Sequence, residues 1–313
     1  MTGLLDAWER FWFAPEPTST LAVFRITVGL LTLGWAVSLA PDLFGFFSQD
    51  GIVPEQPSYG VAAAKGLWGI LGFYPSDAAV VALYAALLVA SVCVTAGLAT
   101  RLAAAVLFVA LLSFERRAPF VFNGGDQLLR ILAFYLALAP SGAALSLDRL
   151  LRRRRQFWEF PLRASWVVRL MQVQFSIIYL FAAWPKLRGT TWNDGSAVYY
   201  AVRIEDLERF PVPDALTSTA YVSNLLTYGT VAAELSLAFL VWSRRLRPWV
   251  LAVGVLLHLS IDYSLRVGFF SYAMLALYIV WIPPERTAAA LLALRDRIGW
   301  GRRDLDLEVS ESP

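Results

Sequence analysis

The sequence predicts an all-α fold: a polytopic membrane helical bundle of about eight transmembrane helices, with added interfacial or re-entrant segments. Three observations predict it. The 313 residues are 58% hydrophobic and only 16% charged, where a soluble domain has about a quarter of its residues charged. Several apolar runs approach the roughly 20 residues that cross a bilayer. These runs are longer than barrel strands and do not alternate, which leaves helices.

Each element follows in order. Residues 1–17 carry Trp8, Phe11, Trp12 and Phe13 beside Asp6, Glu9 and Glu16, the pattern of an amphipathic helix lying in the membrane interface. The basic-then-apolar order of a cleavable signal is missing there. A first span covers 21–40 and ends at Pro41. The connector 41–77 contains an apolar stretch at 61–71, too short to cross and read as re-entrant or interfacial. Spans follow at 78–98, at 101–114, and from 128 to between 140 and 147. Residues 148–155 (DRLLRRRR) form the densest basic cluster, and 156–166 read as interfacial. The fifth span, 167–184, delivers Lys186; a polar connector at 193–220 leads to spans at 222–242, 248–264 and 269–283. Three regions result: an interfacial segment 1–17, a transmembrane domain 18–285, and a cytoplasmic tail 286–313 with a mobile acidic end.

With eight spans, Arg101, Arg152 to Arg155, Arg244 to Arg247 and the tail arginines fall on one side. The positive-inside rule makes that side cytoplasmic, with both termini inside and the protein integral to the inner membrane. Lys186, Asp126 and the Asn123-Gly-Gly turn then share the extracytoplasmic end. The net charge of +3, with arginines at span ends, reads as topology and excludes nucleic-acid binding. One cysteine, Cys93, and one histidine, His258, offer neither a disulfide framework nor a metal cage, so no metal is expected. No nucleotide loop, zinc-protease helix, nucleophile elbow or calcium loop is present.

Charges inside a span are costly and mark a partner or a cavity. Arg25 and Glu234 lie at similar depth, at about 1.5 Å per residue, and are expected to form a structural ion pair. His258 falls near mid-membrane, as a hydrogen-bonded structural residue or a catalytic one. Asp262, one turn further, is placed to orient His258 or to meet Arg130; Arg130 also lies one turn from Asp126. Lys186 follows a proline where an apolar run meets polar sequence. It is either an interfacial anchor with its stem in lipid, or a desolvated amine able to act as a base. Polar groups at one membrane face beside an apolar interior suit a lipid-soluble substrate that enters from the bilayer.

Five stretches carry a resemblance. They are Leu21-Ala-Val-Phe-Arg25-Ile, Phe47-Ser-Gln-Asp-Gly-Ile-Val-Pro54, Pro119-Phe-Val-Phe-Asn123-Gly-Gly-Asp126-Gln-Leu-Leu-Arg130, Tyr179-Leu-Phe-Ala-Ala-Trp-Pro-Lys186-Leu with Trp192 and Gly195, and His258 with Val267-Gly-Phe-Phe-Ser-Tyr-Ala-Met-Leu275. Together they resemble the bacterial horizontally transferred transmembrane domain family, which is related to the membrane domain of vitamin K-dependent gamma-carboxylase. The resemblance covers roughly residues 18 to 285. It implies that Lys186 matches the carboxylase lysine that deprotonates vitamin K hydroquinone. In that enzyme oxygen then gives a strong base on the way to the epoxide, the base takes a proton from a glutamate side chain, and the carbanion captures carbon dioxide. Two departures limit what carries over. Gly124 stands where the carboxylase has a histidine, and the carboxylase's large extracytoplasmic domain has no counterpart here.

The first reading is therefore a quinol-using membrane enzyme. Lys186 is the base, and Asn123, Asp126, Arg130, Trp192, His258, Asp262 and Tyr272 are candidate quinol-binding groups. Its cofactor is reduced vitamin K or menaquinol, with molecular oxygen and carbon dioxide as co-substrates. Its partners are membrane lipid, an isoprenoid quinone and a small peptide or protein substrate. The second reading is a non-catalytic scaffold, immunity protein or maturation partner of a secreted peptide. A carrier of lipophilic molecules ranks last, because no paired broken-helix pattern appears.

Overall fold

The computed structural model describes residues 2–52, 68–152, 156–216 and 219–299. Most of the stretch expected to be re-entrant at 61–71, the arginines at 153–155 and the acidic end of the tail lie outside the described residues. The chain is nearly all helical and divides into two compact units, residues 1–169 with 279–313, and residues 170–278.

In the first unit α1 (Thr2–Phe13) leads through β1 (Pro15–Pro17) into α2 (Ser19–Leu39). The α1 side chains Leu4, Leu5 and Trp8 stand exposed, the apolar face an interfacial helix would show. Strand β1 pairs antiparallel with β2 (Leu162–Ala164), a small ribbon that the sequence did not suggest. Beyond α2 the chain does not stop at Pro41. A 3-10 turn over Ala40–Asp42 carries it into α3 (Leu43–Phe47). Proline in the first turn of a helical segment lacks only an N–H that has no partner there, so it bends the path without ending it. After a single turn, α4 (Ile70–Phe73), come α5 (Asp77–Ala96), α6 (Thr100–Arg117), α7 (Gly124–Leu138) and the short α8 (Leu147–Arg152). Helix α2 packs on α5 and α7, and α6 on both α5 and α7. The residues between them, among them Phe24, Leu107, Leu111, Phe114, Leu129 and Leu132, are fully buried.

The unit also takes in the chain beyond residue 279. Helix α15 (Pro284–Arg297) packs on α2, where Ser19 Oγ donates to Pro284 O at 2.6 Å and the Thr20 and Thr287 hydroxyls meet at 2.9 Å. The tail expected from residue 286 therefore begins inside an ordered helix.

Arg25 is the organising charge of this unit, and its expected partner is corrected. Its guanidinium is fully buried and donates from Nη1 to Ser141 O and Ala144 O at 3.0 and 3.1 Å, and from Nη2 to Leu145 O at 2.6 Å. Matching depths along two helices say nothing about azimuth, and the carbonyls after α7 lie where the fork points. Glu234 takes Lys186 instead. Three buried carbonyls that no helix satisfies are thus held by one rigid fork, which a single ammonium cannot reproduce. Gly97 caps α5 with φ +76°. A Cβ there would fall 2.5 Å from Ser146 Cβ and 2.8 Å from Arg25 Nη1.

The second unit holds most of α9 (Trp166–Lys186), the turns α10 (Thr190–Asn193) and α11 (Ala197–Ala201), α12 (Ala220–Phe239), α13 (Arg247–Ser264) and α14 (Phe270–Tyr278). Helix α13 packs on α12 and α14. The Thr219 hydroxyl caps α12 by accepting from Val222 N.

Among the described residues, four segments are long and apolar enough to cross a membrane: Ser19–Phe47, Asp77–Ala96, Trp166–Lys186 and Ala220–Trp242; Phe270–Trp281 is a shorter apolar helix. Outward apolar side chains such as Val89, Val92, Leu225 and Leu256 suit lipid rather than water.

Arg25→Leu is expected to cost about 3 kcal/mol or more, since each stranded buried carbonyl costs roughly 1–3 kcal/mol. Arg25→Lys should recover little of it, and Gly97→Ala should destabilise in the same assay. Thermal unfolding in detergent checks this, and Arg25→Lys at wild-type stability would count against the fork.

Candidate functional site

Lys186 is the last residue of α9. Pro185 removes the amide that would bond the Phe181 carbonyl, and the helix ends within one turn through Arg188 N to Pro185 O and Gly189 N to Lys186 O. The chain beyond it runs along the start of α12. Ser223 Oγ donates to Gly195 O at 3.1 Å, Tyr228 Oη to Asn193 O at 2.8 Å, and Val198 N to Thr227 Oγ1 at 3.2 Å. Glu234 lies six residues beyond Tyr228, or about 9 Å further along the helix. Lys186 Nζ reaches that level and donates to Glu234 Oε1 at 2.7 Å and to Ala182 O, one turn back, at 3.2 Å. The Trp192 ring lies 5.1 Å from Nζ, within cation–π range.

The amine therefore turns inward. The Lys186 side chain is 21% exposed and that of Glu234 9%. A snorkelling lysine sends its ammonium outward past the end of its helix; here Nζ bends back toward the preceding turn. Glu234 Oε2 is buried and has no hydrogen-bond partner.

The buried face of α9 continues through Ala183 to Tyr179 and Phe175, spaced four residues apart. Tyr179 Oη lies 2.6 Å from His258 Nε2 and 2.6 Å from Tyr278 Oη. One hydroxyl hydrogen serves two neighbours, so the chain has two proton arrangements. In one, Tyr278 donates to Tyr179, Tyr179 donates to Nε2, and the proton sits on Nδ1. In the other, His258 donates to Tyr179, Tyr179 donates to Tyr278, and Nδ1 is a bare acceptor. In both, Nδ1 faces no hydrogen-bond partner, in a side chain only 2% exposed. Gly254, one turn before His258, makes room for the chain, since a Cβ there would collide with the Tyr278 hydroxyl and approach Leu237 Cδ2 at 2.8 Å. Glu234 lies within electrostatic reach of Tyr179, which links the two groups of residues.

The other expected site residues fall elsewhere. Asp262 neither orients His258 nor meets Arg130. It accepts from Tyr272 Oη at 2.9 Å and pairs with Arg209 Nη1 at 2.8 Å, while Arg209 also donates to the Asp262 carbonyl. At one helical turn's spacing the carboxyl points toward the connector rather than along the helix to the imidazole. These contacts make Asp262 and Tyr272 part of a latch that ties the 202–216 connector to α13. Within it the Tyr272 hydroxyl, and then the Asp262 charge, hold the Arg209 guanidinium more firmly protonated than usual. In the first unit Asn123 and Asp126 form a capping box at the start of α7: Gly125 N donates to Asn123 Oδ1 at 2.7 Å and Asn123 N to Asp126 Oδ2 at 2.6 Å. Trp35 Nε1 donates to Asp126 Oδ1 at 2.7 Å. Arg130 pairs with Glu115 rather than with Asp126, whose oxygens are occupied by the cap and the indole.

Of the residues singled out from sequence, Lys186, Trp192, Glu234 and His258 thus belong to the inward cluster of the second unit. Tyr179 and Tyr278 were missed. The seven-residue step from Tyr179 to Lys186, with Ala183 between, is the signal that could have found Tyr179; Tyr278 has no such signal.

Tyr179→Phe removes both hydrogen bonds of the chain at once, whereas Tyr278→Phe removes one. The first is expected to cost roughly 2–3 kcal/mol and the second about 1 kcal/mol, read by chemical unfolding in detergent. Equal losses would reject the hydroxyl chain as drawn.

A model of the HTTM domain matches residues 59–285, well over half of the chain. Two Bacillus subtilis proteins are similar to it. Uncharacterized protein YitO is 23% identical over 198 residues, covering 61% of this chain and 63% of its own length. Sporulation-delaying protein SdpB is 23% identical over 178 residues, covering 52% of each. The chain thus spans between half and two thirds of the length of these relatives. No solved structure matches it. The matched region contains the apolar helices α5, α9 and α12 together with Lys186, Glu234 and His258, and the chain is a membrane protein that belongs to the HTTM domain family.

Proposed function

We propose that this protein is a membrane enzyme that uses a reduced isoprenoid quinone, with Lys186 as the base at the quinol hydroxyl. One observation carries the reading: an amine and a carboxylate drawn together inside the helix bundle, with a buried carboxylate oxygen left open. A cationic anchor has no need of a buried acid. The residues also fit such a ligand. Glu234 Oε2 is a buried acceptor and His258 Nδ1 a buried donor or acceptor, each without a hydrogen-bond partner, and Trp192 sets an aromatic surface beside the amine. When bound, a reduced quinone supplies an ionisable hydroxyl and two electrons, and with one molecule of oxygen yields its epoxide and one of water. The protein's part is to take up the hydroxyl proton at Lys186, to fix the ring beside Trp192, and to exclude water beneath the 189–201 connector.

In the carboxylase the histidine replaced here by Gly124 is assigned to the carboxylation half, so quinol oxidation is the half this chain retains. About eight spans, both termini in the cytoplasm and an extracytoplasmic opening of the site complete the proposal. The four long apolar helices and the shorter Phe270–Trp281 are the part of that count with direct support. A second reading rests on the likeness to a protein named for delaying sporulation. Such a name describes a process and not a reaction, and it suits a scaffold or maturation partner of a secreted peptide equally well.

Lys186→Ala is expected to bind a short-chain menaquinol within a few-fold of wild type and to lose quinol oxidation by a factor of roughly 10²–10⁴, the usual range for a general base. The double variant Lys186→Met/Glu234→Gln, which leaves no charge alone, controls for folding. Wild-type turnover in Lys186→Ala rejects Lys186 as the base, whereas a wild-type protein that neither binds nor oxidises the quinol rejects the enzymatic reading and favours the scaffold.

A further inference from the structure

Lys186 cannot serve as a base while its nitrogen holds the proton it donates to Glu234, and the geometry supplies the group that could take that proton away. The contact from Nζ to Glu234 Oε1 is direct, at 2.7 Å, so no water has to carry the transfer. Glu234 is 7% exposed, and only one of its oxygens has a donor. A buried carboxylate ordinarily has its remaining lone pairs satisfied; the open oxygen here is where an added proton, or a substrate hydroxyl, completes the hydrogen bonding. The Trp192 ring and the Ala182 carbonyl lie against the amine, and Glu234 is within electrostatic reach of Tyr179. Proton transfer within the pair removes both charges together and with them the desolvation that each ion costs when buried.

We propose that Glu234 is the second half of the base: a proton passes from Lys186 to the Glu234 carboxylate, and the freed amine then takes the proton of the quinol hydroxyl. Every proton is accounted for. The N–H bond of the ammonium breaks and an O–H bond forms on Glu234. The O–H bond of the substrate then breaks and a new N–H bond forms on Lys186. The pair ends with a neutral carboxylic acid and an ammonium that faces the oxyanion it has made. No electron moves in these steps. The inference rests on the quinol reading above and gives Glu234 a task beyond holding Lys186 in place.

Glu234→Gln separates the two tasks. Glutamine keeps an oxygen to accept from Nζ but takes up no proton at this site. The test uses the full chain in lipid nanodiscs with a short-chain menaquinol, measuring binding, oxidation with oxygen present, and infrared difference spectra with oxygen excluded. In wild type, quinol addition should raise the carbonyl stretch of a protonated carboxylic acid, shifted in heavy water. Glu234→Gln should bind within a few-fold, lose that band, and oxidise quinol about 100-fold more slowly or worse. Glu234→Asp should retain the band, with slowed turnover. The inference is overturned if Glu234→Gln turns over at the wild-type rate, if its carboxylic band persists, or if wild type shows no such band. The last arm decides the matter even where Glu234→Gln does not fold. If Lys186→Ala loses turnover while Glu234→Gln keeps it, only this inference fails; if Lys186→Ala also keeps it, Lys186 fails as the base; and if wild type itself neither binds nor oxidises the quinol, the quinol reading fails.

Discussion

A lysine amine and a glutamate carboxylate meet 2.7 Å apart between α9 and α12. The second unit is arranged around that contact. Each charge alone would be expensive in this setting, and breaking a buried pair by removing one partner typically costs about 3–5 kcal/mol. Pro185 ends α9 at the amine. The chain after Gly189 turns to lie along the first turns of α12, where Ser223, Thr227 and Tyr228 hold it. Trp192 is carried over the amine as a result.

The first unit meets a different constraint with a different device. There the fully buried Arg25 donates to three carbonyls beyond the end of α7, and its planar fork matches them. That choice suits a permanent charge with a structural task. The second unit uses lysine, a point charge that can lose its proton, opposite an acid that can gain one. Arg25 and Lys186 thus differ in chemistry as they differ in surroundings, and beside Lys186 the buried Glu234 Oε2 has no hydrogen-bond partner.

Much of the helix pattern was legible in the sequence, because apolar runs bounded by Gly, Pro and Arg carry their own ends: Asp77–Ala96, Trp166–Lys186 and Ala220–Phe239 fall within a few residues of expectation. Pro41 misled, since a proline stops a helix only where its missing N–H is needed. Lys186 and His258 were visible as charges and polar groups in the wrong solvent. Their partners were not. Depth along a helix can be counted from sequence, but the direction in which a side chain leaves the axis depends on packing, so Arg25 was matched to Glu234 and Asp262 to His258. The capping role of Asn123 and Asp126 was readable from their three-residue spacing and was passed over for a binding role.

The central claim is that the open polar atoms around Lys186 receive a quinone head group. A cryo-EM structure of the protein purified from native membrane, with the quinone content of the same sample determined by mass spectrometry, tests it most directly. The account predicts an isoprenoid quinone with a ring oxygen within hydrogen-bonding distance of Lys186 Nζ or Glu234 Oε2 and its tail leaving toward lipid. A quinone-free sample whose Lys186–Glu234 pair is closed off by side chains, unchanged when menaquinol is added, would contradict it.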